Sequence, residues 1–143
     1  MSDVKGVNRT KMDSATPDDR LTGGEFDGRV KVSIDSYEAA TLVSGSTIEI
    51  GGTLPEGAKV LEVVIQADAL GGSVTLAVGD SDTAARYISA TAMNTGDKVL
   101  RINAIGGRNY VIGTASGDNQ VLITVGGASA TGSIKTQIFY TND

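Results

Sequence analysis

From Arg29 onward, apolar and polar residues alternate with a period of two. Val30, Val32 and Ile34 alternate with Lys31, Ser33 and Asp35, and Ile48 and Ile50 flank Glu49. Leu61, Val63, Ile65 and Ala67 share one face, opposite Val60, Glu62, Val64 and Gln66. Val74, Leu76 and Val78 form another such run, as do Val121, Ile123 and Val125, and Leu100 and Ile102 flank Arg101. Ile134, Thr136, Ile138 and Tyr140 alternate with Lys135, Gln137 and Phe139. A period of two places one set of side chains on a buried face and the other towards solvent or a partner, and it predicts β-strands. Shorter strands are expected over residues 86–91 and 110–112. No helical pattern of useful length is present; residues 36–42 and 81–86 are expected to form at most single turns.

Turn signals punctuate these runs. Gly51-Gly52, Gly71-Gly72, Gly106-Gly107 and Gly126-Gly127 offer backbone positions with positive φ, and Asn94-Thr95-Gly96-Asp97 and Gly117-Asp118-Asn119 are further turns. Turns roughly ten residues apart, separating about eight or nine short strands, predict an all-β fold: an antiparallel β-sandwich of the jelly-roll type. The sequence between the glycine pairs does not repeat, which argues against a solenoid or propeller.

Residues 1–28 differ in kind. They are polar, charged and aperiodic, with Thr16-Pro17-Asp18-Asp19 and Gly23-Gly24 as extended or turn signals. The expectation is an extended N-terminal arm over 1–28, preceding a sandwich domain over 29–143. A domain of this size has a radius of gyration of roughly 14 Å, whereas 28 extended residues reach on the order of 90 Å. Ordering such an arm costs roughly 1 kcal/mol or more per residue in backbone entropy. Its few apolar residues cannot offset that cost on its own domain. Neighbouring subunits are therefore expected to hold it by strand addition and polar contacts. Arg9, Lys11 and Arg20 are the candidate polar contacts, and Val7, Leu21 and Phe26 the candidate apolar anchors.

Composition narrows the chemistry. The chain of 143 residues has no cysteine and no histidine, so it lacks thiolate ligands, the commonest metal ligand and the commonest general base. The Gly127-Ala128-Ser129-Ala130-Thr131 stretch departs from a nucleophile elbow at Thr131, where glycine is required. Glu49 and Glu62 are the two carboxylates on strand segments that a glycosidase-like pair would need, but nothing in the spacing brings them together. Asp80-Ser81-Asp82 lacks the rest of a calcium loop. Ile105-Gly106-Gly107-Arg108-Asn109 reads as a β-turn followed by a cation, not a phosphate cradle. A net charge of -5 opposes binding to a nucleic-acid backbone, despite the Arg9–Lys11 pair. The opening residues lack the apolar core of a secretory signal, and no apolar run approaches the roughly 20 residues that span a bilayer. The expectation is a non-enzymatic protein without a cofactor, a nucleic-acid partner or a membrane partner.

Several segments carry a resemblance. Leu100 to Gly107 with Tyr110-Val111-Ile112-Gly113, Thr75 to Asp80, Arg86-Tyr87-Ile88, Ala130 to Lys135 and the opening Val7-Asn8-Arg9-Thr10-Lys11 are similar to small virion proteins of tailed bacteriophages. In size and pattern the chain resembles the jelly-roll capsid cement, or decoration, proteins, such as that of a short-tailed Bordetella phage. The resemblance implies a protein that binds the outside of an icosahedral shell built from a major capsid protein of the HK97-type fold. It would bridge neighbouring subunits as a homo-oligomer, a dimer or trimer, after synthesis in the host cytoplasm. The alternative is a receptor- or carbohydrate-binding module of a head fibre or tail, against which the sparse aromatic residues, 4%, argue.

Overall fold

A computed structural model describes residues 4–5, 7–14, 16, 28–113 and 117–142. One short helix, α1 (Val7–Met12), is followed by nine strands: β1 (Lys31–Leu42), β2 (Thr47–Ile50), β3 (Lys59–Ala67), β4 (Thr75–Gly79), β5 (Ile88–Ala92), β6 (Lys98–Leu100), β7 (Tyr110–Val111), β8 (Val121–Gly126) and β9 (Ala130–Thr141). One sheet runs β1-β9-β3-β6, with β7 also paired to β3; the other runs β2-β8-β4-β5.

All pairings are antiparallel. They nest along the chain: β1 with β9, β2 with β8, β3 with β6 and β7, and β4 with β5. The chain is thus one long two-stranded ribbon, rolled until β9 meets β3 and β8 meets β4. This is the expected jelly roll.

The core lies between the sheets. Val63, Ile65, Ile134 and Ile138 from one sheet pack with Leu76, Val78, Ile123 and Val125 from the other, all with no exposed surface. Fully burying each such side chain contributes roughly 1.5–3 kcal/mol, so the predicted inward sets of β4, β8 and β9 hold the two layers together. The core residues run from Ala39 to Ile138, entirely within the sandwich.

Four expectations need correction. Leu61 does not share the core face with Val63 and Ile65: the register slips between Val60 and Glu62, and this bulge returns Val60 to the core in its place. Residues 36–42 form no turn but continue β1, and Val30, Val32 and Ile34 point outward. Residues 7–12 of the expected extended arm are helical; six residues make fewer than two turns, too few for a helical period to register. Lys5 Nζ lies 2.6 Å and Arg9 Nη2 3.3 Å from the Asp13 carboxylate, exposed pairs of small energetic weight. The fourth correction concerns the glycines. Gly51, Gly71 and Gly127 do have positive φ, but neither Gly106 nor Gly107 does.

Gly107 is needed for close approach instead. A Cβ there would lie 2.4 Å from the Arg86 carbonyl oxygen and 2.8 Å from Tyr87 Cα, and both are backbone atoms that cannot swing away. A Cβ on Gly106 would meet nothing within 4 Å. Gly107→Ala is therefore expected to destabilise the domain by about 1–3 kcal/mol, the cost of overpacking. Gly106→Ala should leave the midpoint of urea unfolding almost unchanged.

Candidate interaction surface

The outer face of the β1-β9-β3-β6 sheet holds apolar residues that the core does not use. Directly paired residues share a face. Val32, Phe139 and Glu62 form one row, Ile34, Gln137 and Val64 the next, and Ser36, Lys135, Gln66 and Val99 a third. Val32 is 49% and Ile34 71% exposed. A shallow groove of about 530 Å³ crosses these rows between Ile34, Val64, Gln66 and Lys135.

The reason β1 turns its apolar side outward lies on its other side. The Asp35 carboxylate accepts the Gly51 N–H at 2.9 Å, in the turn that ends β2. Ser33 packs against the same glycine: a Cβ on Gly51 would lie 2.5 Å from Ser33 Oγ. With Ser33 and Asp35 committed inward, alternation sends Val32 and Ile34 outward.

A latched loop borders this face. Glu62 accepts the Ile102 N–H at 3.0 Å and pairs with Arg108 at 3.0 Å. Arg108 also donates to the carbonyls of Leu61, at 2.9 Å, and Ile102, at 3.1 Å. Arg108 thus ties residues 102–108 to the bulge of β3. Ile105 projects from that loop, 94% exposed. Burial pushes the Glu62 carboxyl up, but the Ile102 N–H and Arg108 outweigh it and hold the group below its ordinary range.

The charged cluster at one end of the sandwich is closed by comparison. Arg86 Nε lies 2.5 Å from the buried Asp80, whose Oδ1 also accepts the N–H groups of Asp82 and Thr83. The Arg86 guanidinium stacks 4.0 Å from the centre of the Tyr110 ring, and Tyr110 meets Tyr87 edge to face. Tyr110 donates to Asp118 Oδ2 at 2.7 Å, and the Gly113 N–H donates to the same oxygen at 2.9 Å. The Gly113 bond leads in holding Asp118 below the usual carboxylate range, while burial pushes the Tyr87 phenol far up. Asp80, considered above as a calcium ligand, is a turn cap and an ion-pair partner here. Sequence reasoning missed the Arg86, Tyr110 and Asp118 interactions because none follows a fixed motif spacing: Tyr110 and Asp118 are eight residues apart across a loop, and the Arg86–Tyr110 stack joins residues 24 apart.

The remaining candidates separate. Glu49 is exposed on β2 and Glu62 lies on β3 of the other sheet, so they form no catalytic pair. Val7, Arg9 and Lys11 lie on α1, Arg9 being exposed and Lys11 half-buried; nothing is described of the Val7 side chain. Arg20, Leu21 and Phe26 lie outside the described residues. The candidate residues that sequence reasoning passed over are Val32 and Ile34. Their alternation was visible, but the side of the sheet they would occupy was not.

A jelly-roll sandwich with an open apolar face and an internally paired charge cluster is the class of protein that these observations define. No protein-family model and no curated protein matches the sequence. Solved structures do match. A chain of the capsid asymmetric unit of cyanophage Pam1 is 29% identical, with a TM-score of 0.72, over 92% of this chain and 99% of that one. A chain from the capsid of Ralstonia phage GP4 is 21% identical, with a TM-score of 0.61, over 81% of this chain and 86% of that one. A chain from the capsid of Helicobacter pylori bacteriophage KHP30 is 14% identical, with a TM-score of 0.57, over 79% and 87%. The last two comparisons speak for the fold alone. The chain is thus similar to phage capsid proteins.

The lowered carboxyls make stability depend on pH. Glu62 and Asp118 both titrate lower in the folded chain than in the unfolded one. The unfolded state therefore binds more protons on acidification. Their contribution is present above the ordinary carboxylate range of about 4 and is lost as pH falls through the lower folded values. The urea midpoint should drop between about pH 5 and pH 3. Glu62→Gln and Asp118→Asn should each lower the midpoint at neutral pH and flatten that slope. A slope unchanged in both variants would assign the pH dependence to other groups.

Proposed function

We propose that this protein is a structural component of a phage virion that binds the outer surface of an icosahedral capsid and cements neighbouring subunits of the major capsid protein. The observation that carries this reading is the nearly end-to-end match to a chain of the Pam1 capsid asymmetric unit, 29% identical over 92% of this chain and 99% of that one. A match over 92% of the chain extends far beyond any single motif. The outward apolar residues of β1 supply surface for a protein partner. The partners in this reading are a major capsid protein of the HK97-type fold and further copies of this chain, as a dimer or trimer. The working location is the outer capsid surface after synthesis in the host cytoplasm.

The mechanism is linkage. A protein that binds the assembled lattice but not free subunits stabilises the lattice in proportion to site occupancy. No bond is made or broken, so a catalytic group has no part in it. Residues 1–28 supply reach, with Arg9, Lys11 and Arg20 as polar contacts and Val7, Leu21 and Phe26 as apolar anchors.

Deleting residues 1–28 tests this division. The core lies wholly between Ala39 and Ile138, so the shortened chain should keep its β-rich circular dichroism and cooperative melting. It should also lose co-sedimentation with capsids lacking the protein, to which the full chain binds. Unchanged binding by the shortened chain would remove the arm from the mechanism. Failure of the full chain to bind, with retention on a glycan array, would favour a receptor-binding module.

A further inference from the structure

The sheet that carries the apolar face ends in an open edge. β1 bonds to β9 along one side, and among the described residues no strand pairs with the other side. At ~3.3 Å per residue its length is roughly 40 Å. Natural sheets shorten, charge, kink or cover such edges, because a row of unpaired N–H and C=O groups accepts another strand. β1 has a register shift between Ala39 and Leu42, but over Lys31–Asp35 its pairing with β9 is regular, and there it places Val32 and Ile34 beside its open edge, 49% and 71% exposed.

We propose that this edge pairs with β1 of a second copy, antiparallel about a two-fold axis at Ser33, so that the two sandwiches share one continuous sheet. The strand is self-complementary in this register. Val32 of each copy lies opposite Ile34 of the other, and Lys31 opposite Asp35. Symmetry makes each pair twice. The outer face gains two apolar cross-strand pairs and the inner side two pairs of opposite charge. Moving the axis to Ile34 sets Val32 against Ser36 and Lys31 against Tyr37, and both complementarities are lost. Moving it to Val32 relies on Val30 and Arg29, which precede β1, and Arg29 already has an interaction of its own.

The backbone phase agrees. Thr136 Oγ1 donates to the Asp35 carbonyl at 3.3 Å, so that carbonyl faces β9. One residue on, the Ser36 N–H donates to Asp35 Oδ1 at 2.8 Å. Even-numbered residues therefore turn their N–H and C=O groups towards the open edge. Val32 and Ile34 then form the hydrogen-bonded pair, and Lys31 and Asp35 the non-hydrogen-bonded pair, in which side chains stand closer. An ion pair needs that proximity, and the Gly51 N–H already orients the Asp35 carboxylate.

This takes up the self-association in the capsid reading but is tested without any capsid, so either proposal can fail alone. The full chain should be dimeric in analytical ultracentrifugation at micromolar concentration. Lys31→Asp and Asp35→Lys each set like charges opposite one another and should weaken the dimer roughly tenfold or more. Mixing the two single variants should restore a dimer containing one of each, because each then carries the charge the other lacks. Asp35→Lys also loses the Gly51 bond, so Ser33→Cys supplies an independent reading. The chain has no other cysteine, and Ser33→Cys should close an intermolecular disulfide on mild oxidation while Val43→Cys does not. A monomer at every concentration would overturn the proposal. So would a dimer or trimer that is indifferent to both charge variants and is not cross-linked through Ser33→Cys.

Discussion

β9 is hydrogen-bonded to β1 on one side and to β3 on the other, and its register with both decides what the molecule shows to the outside. It sets Ile138 beside Ser33 and Val63, and Thr136 beside Asp35 and Ile65. Slipping β1 by one residue would turn Val32 and Ile34 inward, a gain of roughly 1.5–3 kcal/mol for each side chain if fully buried. The same slip would break the Asp35–Gly51 bond, and a hydrogen bond to a charged group contributes about 1.5–3 kcal/mol. That bond alone does not outweigh two buried apolar residues. The register is held because the backbone ladder of β1 would have to move with it, and because Ser33 and Asp35 fit the turn at Gly51. The isolated chain thus forgoes apolar burial, and a surface that covers Val32 and Ile34 recovers it.

That balance separates the two polar features of the molecule. Asp80, Arg86, Tyr110 and Asp118 satisfy one another within the sandwich, apart from Asp118 Oδ1, and a network closed in this way fixes structure. The outer sheet face is the reverse case. Its apolar residues have neighbours within their rows but, among the described residues, no layer above them, and its rim carries Lys135, Gln66 and the Glu62–Arg108 latch. Interaction sites combine an apolar centre with a polar rim in this way.

Much of the fold was legible in the chain because β4, β8 and β9 follow strict alternation without interruption. Val74 to Val78, Val121 to Val125 and Ile134 to Ile138 point where their period says. Legibility failed where one residue changes the phase. Leu61 sits in a bulge, and no property of leucine announces that. It also failed at β1, where alternation fixes which residues share a side but not which side meets the core; a turn 16 residues away, at Gly51, decides it. Gly106 and Gly107 look alike in the sequence, and only the approach of the Arg86–Tyr87 backbone tells them apart. Residues 1–28 were legible as polar and aperiodic, but the short helix at Val7–Met12 was not.

The proposed strand pairing gives the arm a geometry. With the axis at Ser33, Val30 of one copy lies opposite Ser36 of the other. The two copies of Val30 are then six residues apart along the strand direction, roughly 20 Å at 3.3 Å per residue. Antiparallel pairing makes the two chains leave the shared sheet in opposite directions from points near the axis. If residues 1–28 act as the proposed arms, two of them rooted on one shared sheet would engage sites on either side of a boundary between capsid subunits. Once one is bound, the second meets its site at a concentration set by its own reach and no longer by free diffusion. A monomer with one arm would decorate a lattice site, whereas the paired form joins two. In the proposed capsid reading, cementing would follow from the same inverted alternation that leaves Val32 and Ile34 exposed.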